Sequence, residues 1–218
     1  MGKQKLKSKN IGEGPIAVIG AGGHATVVAS TLLAAGYEVE GFYADDPAML
    51  GKKILGIPVK GLVEALDPNN CAGAILGIGD NQTRKKLANE LSLKWASVVH
   101  PFSYVDPSAN IGPGTVVCAG AIIQPSAIVG SHVIINTKAS VDHHAQVGDF
   151  SHIAVAHLAG GARVGEGVFL GLHSVVLPGL NVEAWATVGA GAVVTTCVDT
   201  NATVIGTPAR ALLRAPLK

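Results

Sequence analysis

Residues 105–135 read VDPSAN IGPGTV VCAGAI IQPSAI VGSHVI I, with an aliphatic residue at the head of every block of six. The spacing continues to Ile153, shortens once to five residues at Leu158, and resumes as far as Val194. The fourth residue after each aliphatic position is usually small or β-branched. Such a unit, with one aliphatic and one small inward-facing residue, predicts a parallel β-helix. The alternative, an antiparallel β-sandwich, needs alternation with a period of two and turns about every 8–12 residues.

The repeats resemble those of the hexapeptide acyltransferases, whose left-handed β-helix winds three hexapeptides into each triangular coil of about 18 residues. The hand is implied by this resemblance, because the period alone defines none, and it is an exception to the right-handed crossover rule. We therefore expect about five or six coils between residues 99 and 199. The segment Gly206-Thr207-Pro208-Ala209-Arg210 resembles the Gly-x-Pro-Ala-basic sequence with which many such enzymes leave the coil.

The region before the repeats has a different pattern, in which short apolar runs alternate with helical segments. It predicts a strand over 15–19, a glycine turn over 20–25, a helix over 26–36, strands over 38–43 and 72–78, a basic helix carrying Arg84, and a last strand over 95–99. This order is that of half a Rossmann domain. The predicted organisation is a disordered lead-in (1–14), a small α/β domain (15–98), and a β-helix domain with a C-terminal extension (99–218).

Composition narrows the possible partners. A net charge of +1 and an aromatic content of 4% offer neither a basic field for phosphate backbones nor platforms for stacked bases, which argues against nucleic acid. No apolar run approaches the ~18 residues of a membrane span, so no membrane partner is expected. Cys71, Cys118 and Cys197 are far apart and odd in number, which argues against a disulfide framework and favours the cytoplasm.

The first predicted strand ends in Gly20-Ala21-Gly22-Gly23-His24-Ala25, which resembles the dinucleotide-binding fingerprint. Glycines here allow a tight turn that presents backbone N–H groups to a diphosphate. Because only one mononucleotide half is present, the loop fits a nucleotide diphosphate better than a dinucleotide; the alternative is a tight turn that binds nothing. Ligands of open α/β sheets bind at the carboxyl ends of the strands. The substrate-binding residues expected there are Gly20, Gly22, Gly23, His24, Asp45, Asp46, Gly79, Asp80 and Asn81.

A glycine-loop domain followed by hexapeptide repeats resembles the sugar-nucleotide acetyltransferases of the sialic-acid O-acetyltransferase-like family over residues 16–212. The resemblance implies that the α/β domain binds a nucleotide sugar, that acetyl-CoA lies along the β-helix, and that a homotrimer places each active site between two subunits. It further implies N-acetylation of a nucleotide-linked 4-amino-4,6-dideoxy sugar for bacterial surface glycans or glycoproteins. Acetyl-CoA is the expected co-substrate, and no metal is required.

Five of the eight histidines lie within thirty-one residues: His143, His144, His152, His157 and His173. The family motif is matched by Asn136, His143, Gly148, Phe150, Ser151 and His152. By resemblance, His143 is the catalytic base and Asn136 contacts the sugar. By the same resemblance, His152 lies near the thioester. His173 is grouped with it as a residue that binds acetyl-CoA, and coil position places Gly161 and Gly191 along the acetyl-CoA groove.

The chemistry supports His143 independently, because acyl transfer to an amine needs a base that titrates near neutral pH. The oxyanion needs a preorganised donor. Coil phase puts Gly160 and Gly161 one coil above His143, and the Gly161 N–H is the expected donor. The family commonly has an acidic residue after the catalytic histidine, where this chain has His144. His144 is therefore grouped with the catalytic residues, while Asp142, Asp149 or a backbone carbonyl are the alternatives for orienting His143.

Three other functions compete with N-acetylation. A β-helix carbonic anhydrase would hold zinc through the His-x4-His spacing of His152 and His157, although a third histidine is missing at the expected place. A non-catalytic nucleotide-sugar binder would not need clustered histidines. O-acetylation of a sugar hydroxyl within the same family is not separated from N-acetylation by the sequence.

Overall fold

The computed structural model describes residues 14–212. The fold is an α/β half-Rossmann domain followed by a left-handed parallel β-helix, as predicted. The predicted lead-in lies outside the described residues except for Gly14, as does the end of the C-terminal extension. Within residues 14–212 no helix has the length and apolar character needed to cross a membrane.

The α/β domain is a five-stranded sheet with helices on opposite faces. Its elements are β1 Ile16–Ile19, α1 Gly23–Ala34, β2 Val39–Tyr43, β3 Lys53–Ile54, β4 Ile57–Gly61, β5 Gly73–Leu76 and α2 Asn81–Glu90, with 3₁₀ turns at Pro47–Met49, Val63–Ala65 and Pro68–Asn70. The strand order is β3-β4-β2-β1-β5, and β1 is parallel to both β2 and β5. The carboxyl ends of the central strands therefore meet beside the glycine loop.

Two elements of this domain differ from the prediction, in addition to the strand over 95–99 described below. Helix α1 begins at Gly23 rather than at residue 26, with Gly22 as its N-cap, because the glycine loop itself forms the first turn. The antiparallel hairpin of β3 and β4 was not predicted. Its turn is Leu55-Gly56, with φ values of 50° and 80°, and a leucine in the left-handed region is an uncommon turn residue.

The β-helix is built from two-residue strands that repeat at the predicted positions. They are β6 Val98–Val99, β7 Tyr104–Val105, β8 Asn110–Ile111, β9 Val116–Val117, β10 Ile122–Ile123, β11 Ile128–Val129, β12 Ile134–Ile135, β13 Ser140–Val141, β14 Gln146–Val147, β15 His152–Ile153, β16 His157–Leu158, β17 Arg163–Val164, β18 Phe169–Leu170, β19 Val175–Val176, β20 Asn181–Val182, β21 Thr187–Val188, β22 Val193–Val194, β23 Thr203–Ile205 and β24 Arg210–Ala211. In the regular strands the second residue faces inward, and these residues form one continuous buried core with the small residues of the turns. Burying each aliphatic side chain contributes roughly 1.5–3 kcal/mol relative to exposure.

Three sheets make the faces of the β-helix. Sheet 1 contains β6, β9, β12, β15, β18, β21, β23 and β24; sheet 2 contains β7, β10, β13, β16, β19 and β22; sheet 3 contains β8, β11, β14, β17 and β20. We call the rows of turns between them edge 1–2, edge 2–3 and edge 3–1. In a triangular cross-section each edge lies opposite the sheet that it does not join.

The α/β domain covers the outer side of sheet 1 at its first coils. The outward-facing residues Val98, Val116 and Ile134 are each 1% exposed, and the first two pack with α1 in one apolar cluster. Instead of a strand over 95–99, Trp95 forms a single bridge with Ala74 of β5, and Val98 already belongs to the β-helix. The chain thus passes directly from one sheet to the other, which brings the glycine loop close to sheet 1.

Candidate active site

The glycine loop leaves the N-terminus of α1 open. Gly20 has φ +108°, and a Cβ there would lie 3.0 Å from the carbonyl oxygen of Gly77, so the close approach of β1 and β5 requires glycine. Gly22 and Gly23 have nothing within 4 Å of an added Cβ, and no side chain caps the helix. Unsatisfied N–H groups and the helix dipole at such an end favour an anion.

Four residues from both domains meet beside this loop, and we call them the His152 cluster: His24, Gly79, Asn136 and His152. Asn136 donates from Nδ2 to Nε2 of His152 at 3.0 Å, and the ring of His24 lies 6.2 Å from that of His152, centroid to centroid. Nε2 of His24 is buried without a hydrogen-bond partner among residues 14–212. A buried polar atom of this kind is expected to find a partner, and a bound ligand can supply it.

Burial holds the histidines of this cluster neutral. Desolvation first and the charge of Arg84 second lower the pKa of His24 to about 4. The same two causes, in the same order, lower the pKa of His152 to about 3, while a hydrogen bond with the backbone of Gly79 acts in the opposite direction. A neutral His152 can accept the hydrogen bond from Asn136, which an imidazolium could not. The cluster is therefore a neutral hydrogen-bonding surface at neutral pH.

The other residues predicted to contact the nucleotide differ in whether their carboxylate oxygens already accept hydrogen bonds. Asp45 is exposed at the end of β2, and Asp46 uses Oδ1 to cap the turn at Ala48 N, at 2.9 Å. Asp80 caps α2 by accepting from Thr83 N at 2.8 Å, and the hydrogen bonds from Thr83 lower the pKa of this carboxyl group. Among residues 14–212, Asp45 has both carboxylate oxygens free, whereas Asp46 and Asp80 each use Oδ1.

Asn81 connects the domains instead of presenting its amide to a ligand. Its Nδ2 donates to the carbonyl oxygen of Gly167 at 3.0 Å, and its Oδ1 accepts from Nη2 of Arg84 at 2.9 Å. These bonds use both polar groups of the Asn81 amide, whereas Asp80 uses Oδ1 only, and the binding of a base or ribose by these two residues stays a prediction. Their position at the end of β5 was correct, but the start of α2 and the domain contact use their polar atoms.

The histidine pair that the sequence analysis predicted to be catalytic lies elsewhere, on edge 2–3. His143 and His144 form adjacent turn residues, and their Nδ1 atoms are 3.1 Å apart with the rings nearly perpendicular, at 82°. His144 has φ 58°, and its N–H donates to the carbonyl oxygen of Pro125 at 3.1 Å, which holds its backbone on the coil below. The structure thus places an imidazole where the sequence analysis left the orienting group open.

The two carboxylates considered for this role are engaged with the main chain. Oδ1 of Asp142 accepts from the backbone N–H of His143 at 2.7 Å. Asp149 lies on edge 3–1, where its Oδ1 accepts from Ser131 N at 2.7 Å. Neither carboxylate makes a hydrogen bond with the His143 ring.

Gly160 and Gly161 lie one coil above His143, as the coil phase predicted, since Val141 pairs with Leu158. A Cβ on Gly160 would be 2.6 Å from Nε2 and Cε1 of His143, so the ring rests against this turn. The Gly161 N–H, the expected oxyanion donor, instead donates to the carbonyl oxygen of His143 at 2.9 Å. The Gly160 N–H has no partner among residues 14–212.

The difference between these two coils has a simple cause. The N–H of His143 is capped by the carboxylate of Asp142, whereas the residue at the same place in the next coil is Ala159, which has no acceptor. The free N–H therefore belongs to Gly160 and lies beside the His143 ring.

The remaining predicted residues, His173 and Gly191, lie on edge 1–2 with Asn136. Both have left-handed backbones, with φ 58° and +68°, and His173 is exposed while Gly191 has open space at its Cβ position. One group of predicted site residues, the His152 cluster with His173 and Gly191, therefore lies beside sheet 1 and along edge 1–2. The other group, His143 and His144, lies on edge 2–3. Because edge 2–3 lies opposite sheet 1, a single chain does not bring His143 and the His152 cluster together.

Two buried residues of this region were missed by the sequence analysis. Arg84 was placed on a basic helix, yet it is 1% exposed; its spacing from Leu87, Ala88 and Leu91 is the helical period that would have put it on the inner face of α2. His132 is stacked on Phe150 at a centroid distance of 5.2 Å, and no sequence signal distinguished it from other turn residues.

Comparison with known proteins identifies the family and the fold. The PglD N-terminal domain family matches residues 15–91. The acetyltransferase domain of PglB from Neisseria gonorrhoeae is 34% identical, with a TM-score of 0.85, over 91% of this chain and 99% of that one. PerB from Caulobacter crescentus, solved in complex with CoA and GDP-perosamine, is 36% identical, with a TM-score of 0.86, over 93% of this chain and 99% of that one.

A curated sequence relative covers less. The uncharacterized protein L142 of Acanthamoeba polyphaga mimivirus is 28% identical over 96 residues, so the chain spans 19% of the length of that protein. The likeness to PglB and PerB, by contrast, extends over nearly all of both chains and includes both domains. The chain therefore belongs to the family of hexapeptide-repeat sugar-nucleotide acetyltransferases.

Proposed function

We propose that this protein transfers the acetyl group of acetyl-CoA to the amino group of a nucleotide-linked 4-amino-4,6-dideoxy sugar, in bacterial surface glycan or glycoprotein biosynthesis. The observation that carries the proposal is the contact between the His143 ring and the Gly160 turn, in a chain similar to a PerB structure that holds CoA and GDP-perosamine. A cytoplasmic location is part of this proposal and fits the three unpaired cysteines.

His143 is the general base. The mechanism uses the tautomer in which Nδ1 of His143 donates to Nδ1 of His144, 3.1 Å away, so that Nε2 keeps its lone pair and faces the Gly160 turn. As the substrate amine attacks the thioester carbon, Nε2 removes the proton that the nitrogen must lose. The tetrahedral intermediate then expels the CoA thiolate, and the imidazolium can return the proton to sulfur. His144 acts as a positioning residue that selects the productive tautomer.

The Gly160 N–H is the donor that we propose for the oxyanion. It is preorganised by the coil, it has no competing acceptor among residues 14–212, and it lies beside the base. A backbone donor aimed at developing charge stabilises the transition state more than the ground state. The absence of a side chain at Gly160 also leaves room for the ring of His143.

The nucleotide end of the substrate is assigned to the α/β domain. The open N-terminus of α1 at Gly22 and Gly23 receives the diphosphate, and Asp45 accepts from hydroxyl or base N–H groups. His24 offers its unpaired Nε2 to the same ligand. Asn136 and His152 extend this surface from the nucleotide towards edge 1–2, where His173 and Gly191 form the acetyl-CoA side.

The separation of the two groups on one chain supports a shared site in a homotrimer. Edges 1–2 and 2–3 both flank sheet 2. If sheet 2 faces a threefold axis, edge 2–3 of each subunit meets edge 1–2 of its neighbour. Sheet 2 is suited to this position, because its outward column is mostly apolar: Tyr104, Ile122, Ser140, His157, Val175 and Val193. One subunit then supplies His143 and the next supplies the His152 cluster.

The zinc alternative has a weaker structural basis. His152 and His157 lie on different sheets, and His157 bonds to Ser140 through Nδ1. Among residues 14–212 no three His, Cys, Asp or Glu side chains come together in a way that could hold a metal ion.

The activity is tested with acetyl-CoA and a panel of UDP-, GDP- and dTDP-linked amino sugars, by following release of free CoA thiol. We expect one nucleotide series to be acetylated and its 4-hydroxy counterparts to be inert. Hydroxylamine treatment of the product distinguishes a stable amide from a labile ester. If none of the amino sugars in the panel causes thiol release, the proposed function is wrong. A hydroxylamine-labile product would assign O-acetylation instead.

The shared site is tested by mixing two inactive variants, His143→Asn and Asn136→Ala, under conditions that exchange subunits. If each site takes one residue from each of two chains, random mixing restores about a quarter of the sites. Light scattering gives the mass of the assembly in parallel. No recovery of activity after confirmed exchange would show that both residues act from one chain.

A further inference from the structure

The side chain of Arg84 is buried without a carboxylate partner. It is 1% exposed and is the largest of the fully buried side chains among residues 14–212. None of the ion pairs in this part of the chain includes it. Removing a charge from water is unfavourable unless other polar groups replace the hydration. The question is which groups do so, and what the remaining charge does.

Two separate parts of the chain supply the acceptors. Nη1 of the guanidinium donates to the carbonyl oxygens of Ile78 and Gly79, in the loop after β5, at 3.2 and 2.8 Å. On edge 3–1, Nε donates to His132 O at 3.1 Å, and Nη2 donates to Phe150 O and Ser151 O at 2.6 and 3.3 Å. With the bond to Asn81 described above, every N–H of the guanidinium is used. The group therefore joins the two domains and has no donor left for a ligand.

This cation lies next to the His152 cluster. One of its acceptors, Gly79, belongs to the cluster, and another, Ser151, is the chain neighbour of His152. The carboxylates that act on the guanidinium or on its neighbour His132 are Asp80 and Asp149, and both are already hydrogen-bonded to backbone N–H groups. The surrounding imidazoles contribute no negative charge. Asp80 opposes this charge from the exposed start of α2 but forms no ion pair with the guanidinium, so the positive charge itself stays buried at the contact between the glycine-loop domain and sheet 1.

We propose that Arg84 is a positioning residue for the nucleotide sugar, which fixes the loop at Ile78–Gly79 against the His152 cluster and supplies a buried positive charge to the diphosphate site. It acts through position and field rather than through contact, because its hydrogen bonds are filled. A charge in a low-dielectric interior acts over longer distances than one in water. The ligand class rests on the proposed function, whereas the placement of the charge does not.

The experiment compares Arg84→Met, which removes the charge, with Arg84→Lys, which keeps it but loses the planar fork. Lys85→Met is the matched control, since Lys85 is the next residue of α2, also faces the β-helix, and has its charge paired with Glu166 and lying over Trp185. Calorimetry measures the Kd of inorganic pyrophosphate and of acetyl-CoA at fixed ionic strength. This measurement needs no turnover, so it stays informative if the amino-sugar panel fails.

We expect Arg84→Met to weaken pyrophosphate binding at least about tenfold and acetyl-CoA binding less than about twofold. Arg84→Lys should keep most of the pyrophosphate affinity but raise the KM for the nucleotide sugar, because the loop is no longer fixed. Lys85→Met should match the wild type. Equal pyrophosphate affinity in Arg84→Met and the wild type, or an equal loss in Lys85→Met, would overturn the proposal.

A second measurement covers the case in which Arg84→Met does not fold. In the wild type, labelled with ¹³C-histidine, the ring resonances of His152 are followed as the pH is lowered. Burial and the neighbouring cation both lower the pKa of His152, so the wild-type ring should stay neutral down to pH 5, and loss of the cation should let it take up a proton at higher pH in Arg84→Gln than in Arg84→Lys. Protonation of His152 at the same pH in Arg84→Gln and Arg84→Lys would contradict the proposed placement of charge.

Discussion

Gly160 gives the sharpest test of the catalytic geometry. In Gly160→Ala the new Cβ would lie 2.6 Å from Nε2 and Cε1 of His143, whereas ordinary contacts begin at 3.4 Å. The backbone of Gly160 is outside the left-handed region, so the methyl group adds no strain of its own. The exposed imidazole must move by about 1 Å, and a misplacement of that size costs about 10²-fold in rate. This corresponds to roughly 2.7 kcal/mol of transition-state stabilisation.

The assay is steady-state thiol release, with thermal unfolding measured in parallel. We expect kcat to fall about 10²-fold while the KM for the nucleotide sugar changes less than about threefold. Gly179→Ala is the control on the same edge: it has φ +70° and nothing near its Cβ position, so it should lose about 1 kcal/mol of stability and keep its rate. A normal kcat in Gly160→Ala would show that the imidazole does not work at this turn.

The remaining predictions concern the histidines. His143→Asn should lower kcat by about 10²–10⁴-fold with both ligand Kd values unchanged, and an active variant would remove His143 from the mechanism. His144→Ala should lower kcat by about tenfold, while His144→Glu should restore it and move the half-maximal rate to higher pH; no rescue by glutamate would argue against the orienting role. The pKa values of His24, His132 and His152, lowered to about 4, 4 and 3, imply that only the unfolded chain binds these protons as the pH falls below about 6.5. The free energy of unfolding should therefore decrease by up to about 4 kcal/mol per pH unit towards pH 5, and a denaturation series that shows no decrease would contradict the burial of these rings. A chelator should leave the rate unchanged.

Much of the β-helix could be predicted because its repeat is local. Each strand needs only one inward aliphatic residue and each turn one small residue. The six-residue period therefore predicts where the strands lie and that Gly160 lies one coil above His143. The glycine loop could also be predicted from the sequence, because the backbone conformation at Gly20 requires glycine. These features depend on residues close together in sequence.

What only the tertiary structure decided involves groups brought together from distant parts of the chain. Arg84 was predicted only as part of a basic helix, yet the packing of α2 on edge 3–1 buries it, with 1% of its surface exposed. The partner of a polar group depends on which domain covers it, and a repeat carries no information about that. In the same way, the sequence predicted the Gly161 N–H as the oxyanion donor, yet that N–H donates to the carbonyl oxygen of His143. Which N–H stays free depends on hydrogen bonds between successive coils, which only the assembled coil defines.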